Sequence, residues 1–338
     1  MSAPIVESAS RLLPPRARRS GRQRLWQIVT LIFVVLIVGL LADKARDMDW
    51  QAVGAALRAY EMNTLLVAAG LALAAHVAAA SYDIVAKHYV GHRLPAPRVF
   101  AINFIAYAFS INFGGLVGGW GMRMRLYHRF GLAGRQIAQI IGLAFLTNWS
   151  GYVLLAALVL CMPLTLPVEL PLEQPVWRLS AAMLLFAVLA SYLALCAIGH
   201  ARGWRLRIRQ FSLRLPRLRI ALLQIALSSA SWLLMAATLD RLLPAQVPFE
   251  QVVLVLLLGS IVGAISHVPG SVGVLEASVI WLFAGQAEQL NVLAALLAYR
   301  ALFYLLPLLL AALGFAGMEW LARRHRARGL HLLASHPH

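Results

Sequence analysis

The sequence predicts an all-α fold: a polytopic transmembrane helical bundle of about six full spans plus two broken or re-entrant hairpins, arranged as an inverted repeat. Three observations carry that reading. The 338-residue chain is 61% hydrophobic and only 13% charged, where a soluble domain holds about twice that charge. The charges are clustered, leaving uninterrupted stretches at 25–42, 63–82, 99–122, 136–168, 179–201, 220–239, 251–275 and 301–318. Two of these stretches are broken internally by glycine and proline. A helix needs about 20 apolar residues to cross roughly 30 Å of hydrocarbon, and a soluble helix would interrupt such runs on its wet face.

The net charge of +17 would suggest nucleic acid in a soluble protein. Here the arginines fall in blocks between spans: six from Arg11 to Arg24, seven from Arg202 to Arg219, four from Arg323 to Arg328. That is the positive-inside pattern, and such blocks also attract anionic lipid head groups. It argues against nucleic acid as a partner and puts both termini in the cytoplasm. The expected organisation is a basic tail over 1–24, a transmembrane domain over 25–318 and a second basic tail over 319–338.

The first apolar run, 25–42, is longer than a signal-peptide core and lacks a convincing cleavage pattern, so it reads as a retained anchor. Residues 43–62 are mixed in charge and read as an amphipathic piece on the outer surface. The second span returns near Asp83, a solvated span end, leaving Lys87, Arg93 and Arg98 inside. Residues 99–121 should then cross outward, yet Arg123, Arg125, Arg129 and Arg135 follow, which the same rule wants inside. The conflict disappears if the segment enters the membrane and turns back. Gly114, Gly115, Gly118, Gly119 and Gly121 supply the means, each costing a helix about 1 kcal/mol relative to alanine. The alternative is a close helix–helix contact, since Gly114/Gly118 and Gly115/Gly119 have small-xxx-small spacing.

Full spans follow at about 137–160, 178–199 and 220–242. Residues 251–286 are apolar but broken at Ser266-His267-Val268-Pro269-Gly270-Ser271-Val272-Gly273, because proline removes a donor and clashes with the preceding turn. The last span, 290–318, ends inside. Two interrupted segments entering from opposite sides point to a transporter binding site. Proline and glycine are also common in membrane helices generally, which would explain one such break more easily than two.

Ionisable residues at membrane depth mark function by default. Glu276 and Arg300 are the plausible partners of one another, as a structural or a functional pair. Arg123 and Arg125 follow the first break and offer planar forks that match phosphate; each also serves as an ordinary cytoplasmic anchor. His267, beside Pro269, could relay a proton or bond a carbonyl. Pro269, Gly270 and Gly273 make the hinge of the second break. Asn103, Asn112 and Asn148 are expected to bond between helices. No phosphate loop, His-Glu-x-x-His or Gly-x-Ser-x-Gly motif is present, so no catalytic residue, metal or cofactor is assigned. Cys161 and Cys196 have no metal spacing and no expected disulfide.

The block Gly118-Gly119-Trp120-Gly121-Met122-Arg123-Met124-Arg125-Leu126-Tyr127, continuing to Gly131-Leu132, resembles the "small residues, Arg-x-Arg-Leu-Tyr, Gly-Leu" block in the membrane region of the lysylphosphatidylglycerol synthetase/flippase family. Residues 140–151 resemble its next helix. Ser266-His267-Val268-Pro269-Gly270-Ser271-Val272-Gly273, through Glu276, resembles its second block, "Ser-His-x-Pro-Gly-Gly-x-Gly-x-x-Glu". The resemblance implies a bacterial inner-membrane protein that moves lipids such as aminoacylated phosphatidylglycerol between leaflets, with Arg123, Arg125, His267, Pro269, Gly270, Gly273 and Glu276 on the motif positions. Ser271 in place of the second glycine, and the bulky Trp120, are departures that bear on substrate identity. The chain ends 20 residues after Met318, so the soluble synthase domain and its activity are expected to be absent. The expected function is translocation of a phospholipid or lipid-linked substrate, with anionic phospholipids and a lipid-synthesis enzyme as partners. The alternatives are an intramembrane lipid-modifying transferase and a partner subunit.

Overall fold

In the computed structural model, residues 50–163, 174–208, 211–266, 268–283 and 288–334 are described. The first expected span, the acidic loop with Glu169 and Glu173, and His267 lie outside them. Helix α1 (Trp50–Arg58) precedes α2 (Met62–Ala80) and α3 (Tyr82–Val90), which run on through Ser81 as one apolar stretch. The first hairpin is α4 (Ala96–Phe113), a π-helical segment (Gly115–Met122) and α5 (Arg123–Arg129). Then come α6 (Gly134–Cys161), α7 (Pro175–Ala201) and α8 (Leu218–Asp240). The second hairpin is α9 (Phe249–Ser266), a 3₁₀ turn (Pro269–Ser271) and α10 (Val274–Leu282). The chain closes with α11 (Gln289–Tyr299), a second π-helical segment (Arg300–Leu305) and α12 (Leu306–Ala334). Among the described residues six helical stretches are long and apolar enough to cross a membrane: 62–90, 134–161, 175–201, 218–240, 249–266 and 289–320. The polytopic all-α bundle is therefore present. One addition to it was not expected: the arginine block between α7 and α8 forms a two-stranded antiparallel hairpin, β1 (Arg205–Ile208) with β2 (Phe211–Arg214).

The first break is a true reversal. Gly114 has φ 88° and ψ 157°, a backbone open only to a residue without Cβ. Beyond it the π-helical segment folds back along α4, so closely that a Cβ on Gly118 would collide with the backbone of Phe109 and Ser110. At the base of the hairpin the Arg98 guanidinium lies 5.0 Å from the centre of the Phe130 ring, so the two arms start and finish side by side. The glycines thus do both things considered for them: Gly114 breaks the helix, and Gly118 permits close packing of the two arms. The bulky Trp120 of this block is half exposed, so its ring is not enclosed between the arms.

The second hairpin is built alike. Gly270 (φ 66°) and Gly273 (φ 82°) turn the chain after Pro269, and Ser271 between them is held at φ 48°. A left-handed serine is strained by roughly 1–2 kcal/mol, a cost that glycine at this position would avoid. Gly259 and Gly263 of α9 receive Leu275 and Ser271 of the returning arm.

The two hairpins enter from opposite ends. Asn103, near the base of the first, donates to the carbonyls of Ala79 and Ala80 at the end of α2 (both 3.0 Å). Around the base of the second, Phe283 and Val252 pack with Leu242, Leu243 and Val292, and the Tyr60 hydroxyl just before α2 donates to the Leu242 carbonyl at 2.6 Å. Burial at this junction raises the Tyr60 hydroxyl above its usual pKa. One apolar cluster therefore surrounds the second hairpin, and another, containing Ile102, Leu126, Tyr127 and Ile140, surrounds the first. Helix α7 is peripheral and exposes Trp177, Met183, Leu184 and Leu195, as a lipid-facing helix does.

Two measurements check the first hairpin. In a variant with Cys161 and Cys196 replaced by serine, single cysteines at the exposed positions Arg93 and His128 should react with an impermeant thiol reagent from the same side of the membrane; reaction from opposite sides would make residues 96–129 a complete crossing. Gly118→Val should lower the yield of folded protein, overpacking costing about 1–3 kcal/mol. Gly115→Ala, with open space at its Cβ, should be tolerated.

Candidate functional site at the meeting of the hairpin tips

The tips of the two hairpins touch. Gly270 sits so close to the end of α4 that a Cβ there would lie 3.1 Å from the Asn112 carbonyl oxygen and 3.7 Å from that of Ile111. Broken backbone at this position must find its hydrogen bonds within the protein, because hydrocarbon offers none. Arg300 supplies them. Its Nη1 donates to the Gly270 carbonyl at 2.6 Å and its Nη2 to the Ser271 carbonyl at 3.1 Å.

The same guanidinium pairs with Glu276, Nε to Oε1 at 2.6 Å and Nη2 to Oε2 at 3.0 Å. Glu276 Oε2 also accepts from the Gly273 backbone N–H at 2.8 Å, capping α10. The Arg300 guanidinium lies 4.4 Å from the centre of the Tyr304 ring, and Asn112 Nδ2 donates to the Tyr304 carbonyl at 3.3 Å. Arg300 and Glu276 are thus partners, as their depth implied, and both are tied to the turn. Arg300 also opens a π-helical segment, a local distortion frequent at functional sites.

Beside the junction lies a cavity of about 740 Å³. The end of α4 with Gly114 and Gly115, Asn148 of α6, Trp232 of α8, the face of α9 from Leu256 to Ala264, the 3₁₀ turn, and Phe303 and Tyr304 enclose it. No charged side chain lines it among the described residues. Arg300 and Glu276 stand behind its wall rather than in it.

Arg123 and Arg125 are elsewhere. Arg123 is buried at the base of the first hairpin, with Nε 3.1 Å from Asp83 Oδ2 and Nη2 3.3 Å from Asp83 Oδ1. It also donates to Asn103 Oδ1 and, at 3.2 Å, to the Gly119 carbonyl. The Tyr127 hydroxyl donates to Asp83 at 2.9 Å. Asp83 is fully buried, which corrects its reading as a solvated span end: charge pattern cannot reveal that a partner forty residues away folds back onto it. Next to Tyr127, His92 is buried with neither ring nitrogen partnered, and burial followed by the charge of Lys87 lowers its pKa, although Asp83 opposes this. Arg125 is largely exposed, 3.5 Å from Glu319 of α12, and Arg129 meets the same carboxylate at 2.7 Å.

Both hairpins therefore use one device: an arginine bonded to a carboxylate and to a carbonyl of the broken segment. Removing one partner of a buried pair leaves an uncompensated charge at a cost of about 3–5 kcal/mol. Glu276→Gln and Asp83→Asn should each lower the thermal stability of the purified protein. In double-mutant cycles, Glu276→Gln with Arg300→Gln and Asp83→Asn with Arg123→Gln should be clearly less than additive; additivity within about 0.5 kcal/mol would show that the partners do not interact.

Residues 27–311 match the family described as the lysylphosphatidylglycerol synthase TM region. The chain is 39% identical over 303 residues to the inner membrane protein YbhN of Escherichia coli (strain K12), covering 89% of this chain and 95% of that protein. It is 30% identical over 302 residues to an uncharacterized protein, slr0712, of Synechocystis sp., covering 87% of this chain and 91% of that one. The matched range contains both hairpins, 96–129 and 249–282. This chain is a multi-pass membrane protein that belongs to the family of the lysylphosphatidylglycerol synthase TM region.

Proposed function

We propose that the chain is a lipid translocase, which carries a lipid head group between the leaflets of the inner membrane through the cavity between the hairpin tips. The observation that carries this reading is the meeting of two oppositely entering hairpins around a space of about 740 Å³. That volume lies in the range of small-ligand sites. Interrupted segments at the bundle centre are where substrates bind in repeat-built transporters. Phe113 and Ala264, two of the walls, are exposed, so the space is not sealed from its surroundings. A head group could occupy it while the acyl chains remain in hydrocarbon.

The substrate class proposed is a phospholipid or lipid-linked molecule, with phosphatidylglycerol and its derivatives as the first probes. The arginines that looked suited to its phosphate take a different part. Arg123 holds the first hairpin shut, while Arg93, Arg98, Arg125 and Arg129 gather at its base, where they would meet anionic lipids of the cytoplasmic leaflet. With the cytoplasmic leaflet at that base, the reading proposed here has both termini in the cytoplasm. A lipid-synthesis enzyme is the partner class that would deliver the substrate.

The test is movement of head-group-labelled lipid between the leaflets of liposomes holding the purified chain. Wild type should move lipid. Ser260→Trp, which fills the cavity from α9, should reduce the rate at least about tenfold in protein that remains folded, whereas Arg125→Gln should move lipid at a near-normal rate. Equal rates for wild type and Ser260→Trp would remove the cavity from the pathway. Failure of wild type with every lipid tried, with and without an ion gradient, would favour the partner-subunit reading.

A further inference from the structure

We infer that the head group taken by this cavity is an uncharged, polyhydroxylated one of the glycosyl kind; the inference rests on the cavity being the substrate site proposed above. Two features of the wall support it. The first is the state of its polar groups. Tyr107, Ser110, Asn148, Ser271 and Tyr304 are among the lining residues, and among the described residues no hydrogen bond joins their side chains to another protein group. All are neutral hydroxyls or an amide, groups that both donate and accept. That is the complement a polyol requires, since each of its hydroxyls also does both.

The second is the state of the charges. Among the described residues, the charges nearest the cavity are already matched: Arg300 is engaged by Glu276 and two backbone carbonyls, and Arg123 by Asp83, Asn103 and Gly119. A phosphate or ammonium entering the cavity would lose its hydration with no counter-charge on the described wall, and an unpaired charge is the most costly group to place at membrane depth. An uncharged sugar avoids that cost. The partly exposed rings of Tyr107, Tyr304 and Trp232 complete the match, because the C–H face of a sugar is apolar and packs on an aromatic surface.

The experiment is native mass spectrometry of the full chain, purified in an amine-oxide detergent that has no sugar head. It is offered monoglucosyl diacylglycerol, phosphatidylglycerol and phosphatidylethanolamine with identical acyl chains. The glycosyl lipid should be retained at least about fivefold more tightly than either charged lipid. Tyr107→Phe and Asn148→Leu should each erase about fivefold of that preference, the effect of one hydrogen bond. Ser191→Ala, exposed on α7, should change nothing. Tyr107→Phe keeps the ring, so it tests the idea even if Asn148→Leu fails to fold. Equal or stronger retention of the charged lipids, or a preference untouched by Tyr107→Phe, would overturn the inference. Selective retention of the glycosyl lipid without movement of any lipid in liposomes would leave the inference standing and remove the translocase reading. Movement of charged lipids without glycosyl preference would do the reverse.

Discussion

Pro269, Gly270, Ser271 and Gly273 stop a helix inside an apolar bundle, and the carbonyls left without helical partners must be answered there. Hydrocarbon cannot answer them, and each unsatisfied group would cost several kcal/mol. Arg300 meets two of them while its remaining donors hold Glu276, and Glu276 in turn meets the Gly273 N–H. That one guanidinium ties the turn to α10 through Glu276, beside the Gly270 tip that meets Asn112. Without it two carbonyls of the turn, those of Gly270 and Ser271, would lose their side-chain donor beside the cavity.

The first hairpin meets the same constraint in mirrored fashion. Its arginine sits at the base, not at the tip, and its carboxylate comes from α3, outside the hairpin. This pins the hairpin to the α2–α3 stretch, while Arg300 pins the second hairpin to the α11–α12 stretch. Each break is thereby fixed to a continuous spanning helix, and the two tips are left to meet each other. Buried ion pairs contribute little net stability compared with apolar packing, but losing either partner is costly, so such pairs define geometry more than they strengthen it. That property suits a bundle in which two short hairpins must stop at the same depth.

Much of this was legible in the residues. The charge conflict around residues 99–121 led to the reversal at Gly114, and the isolation of Glu276 and Arg300 in apolar sequence led to their pairing. The resemblance of the two motif blocks led to the family. The bonds of Asn103 and Asn112 between helices also followed from their placement, whereas the side chain expected to do the same at Asn148 makes no such bond among the described residues. What could not be read was distance across the fold. Asp83 looked like a solvated end because its partner lies forty residues on, and Arg123 looked free because its burial depends on how α4 and α5 pack, whereas Arg125 is largely exposed. The small β-hairpin of the arginine block was hidden by the absence of an Asn-Gly or Asp-Gly turn signal. Ser271 was visible as a departure from the motif, but its left-handed backbone was not.

The cavity and its chemistry follow from the contact between the hairpin tips. A photo-cross-linking phenylalanine analogue placed at Ile111, which lines the cavity beside Gly270, tests that contact directly in native membranes. Irradiation followed by peptide mapping should yield adducts on the segment 268–272. Adducts confined to lipid, or to helices away from that segment, would mean that the tips do not meet and that no shared cavity exists between them.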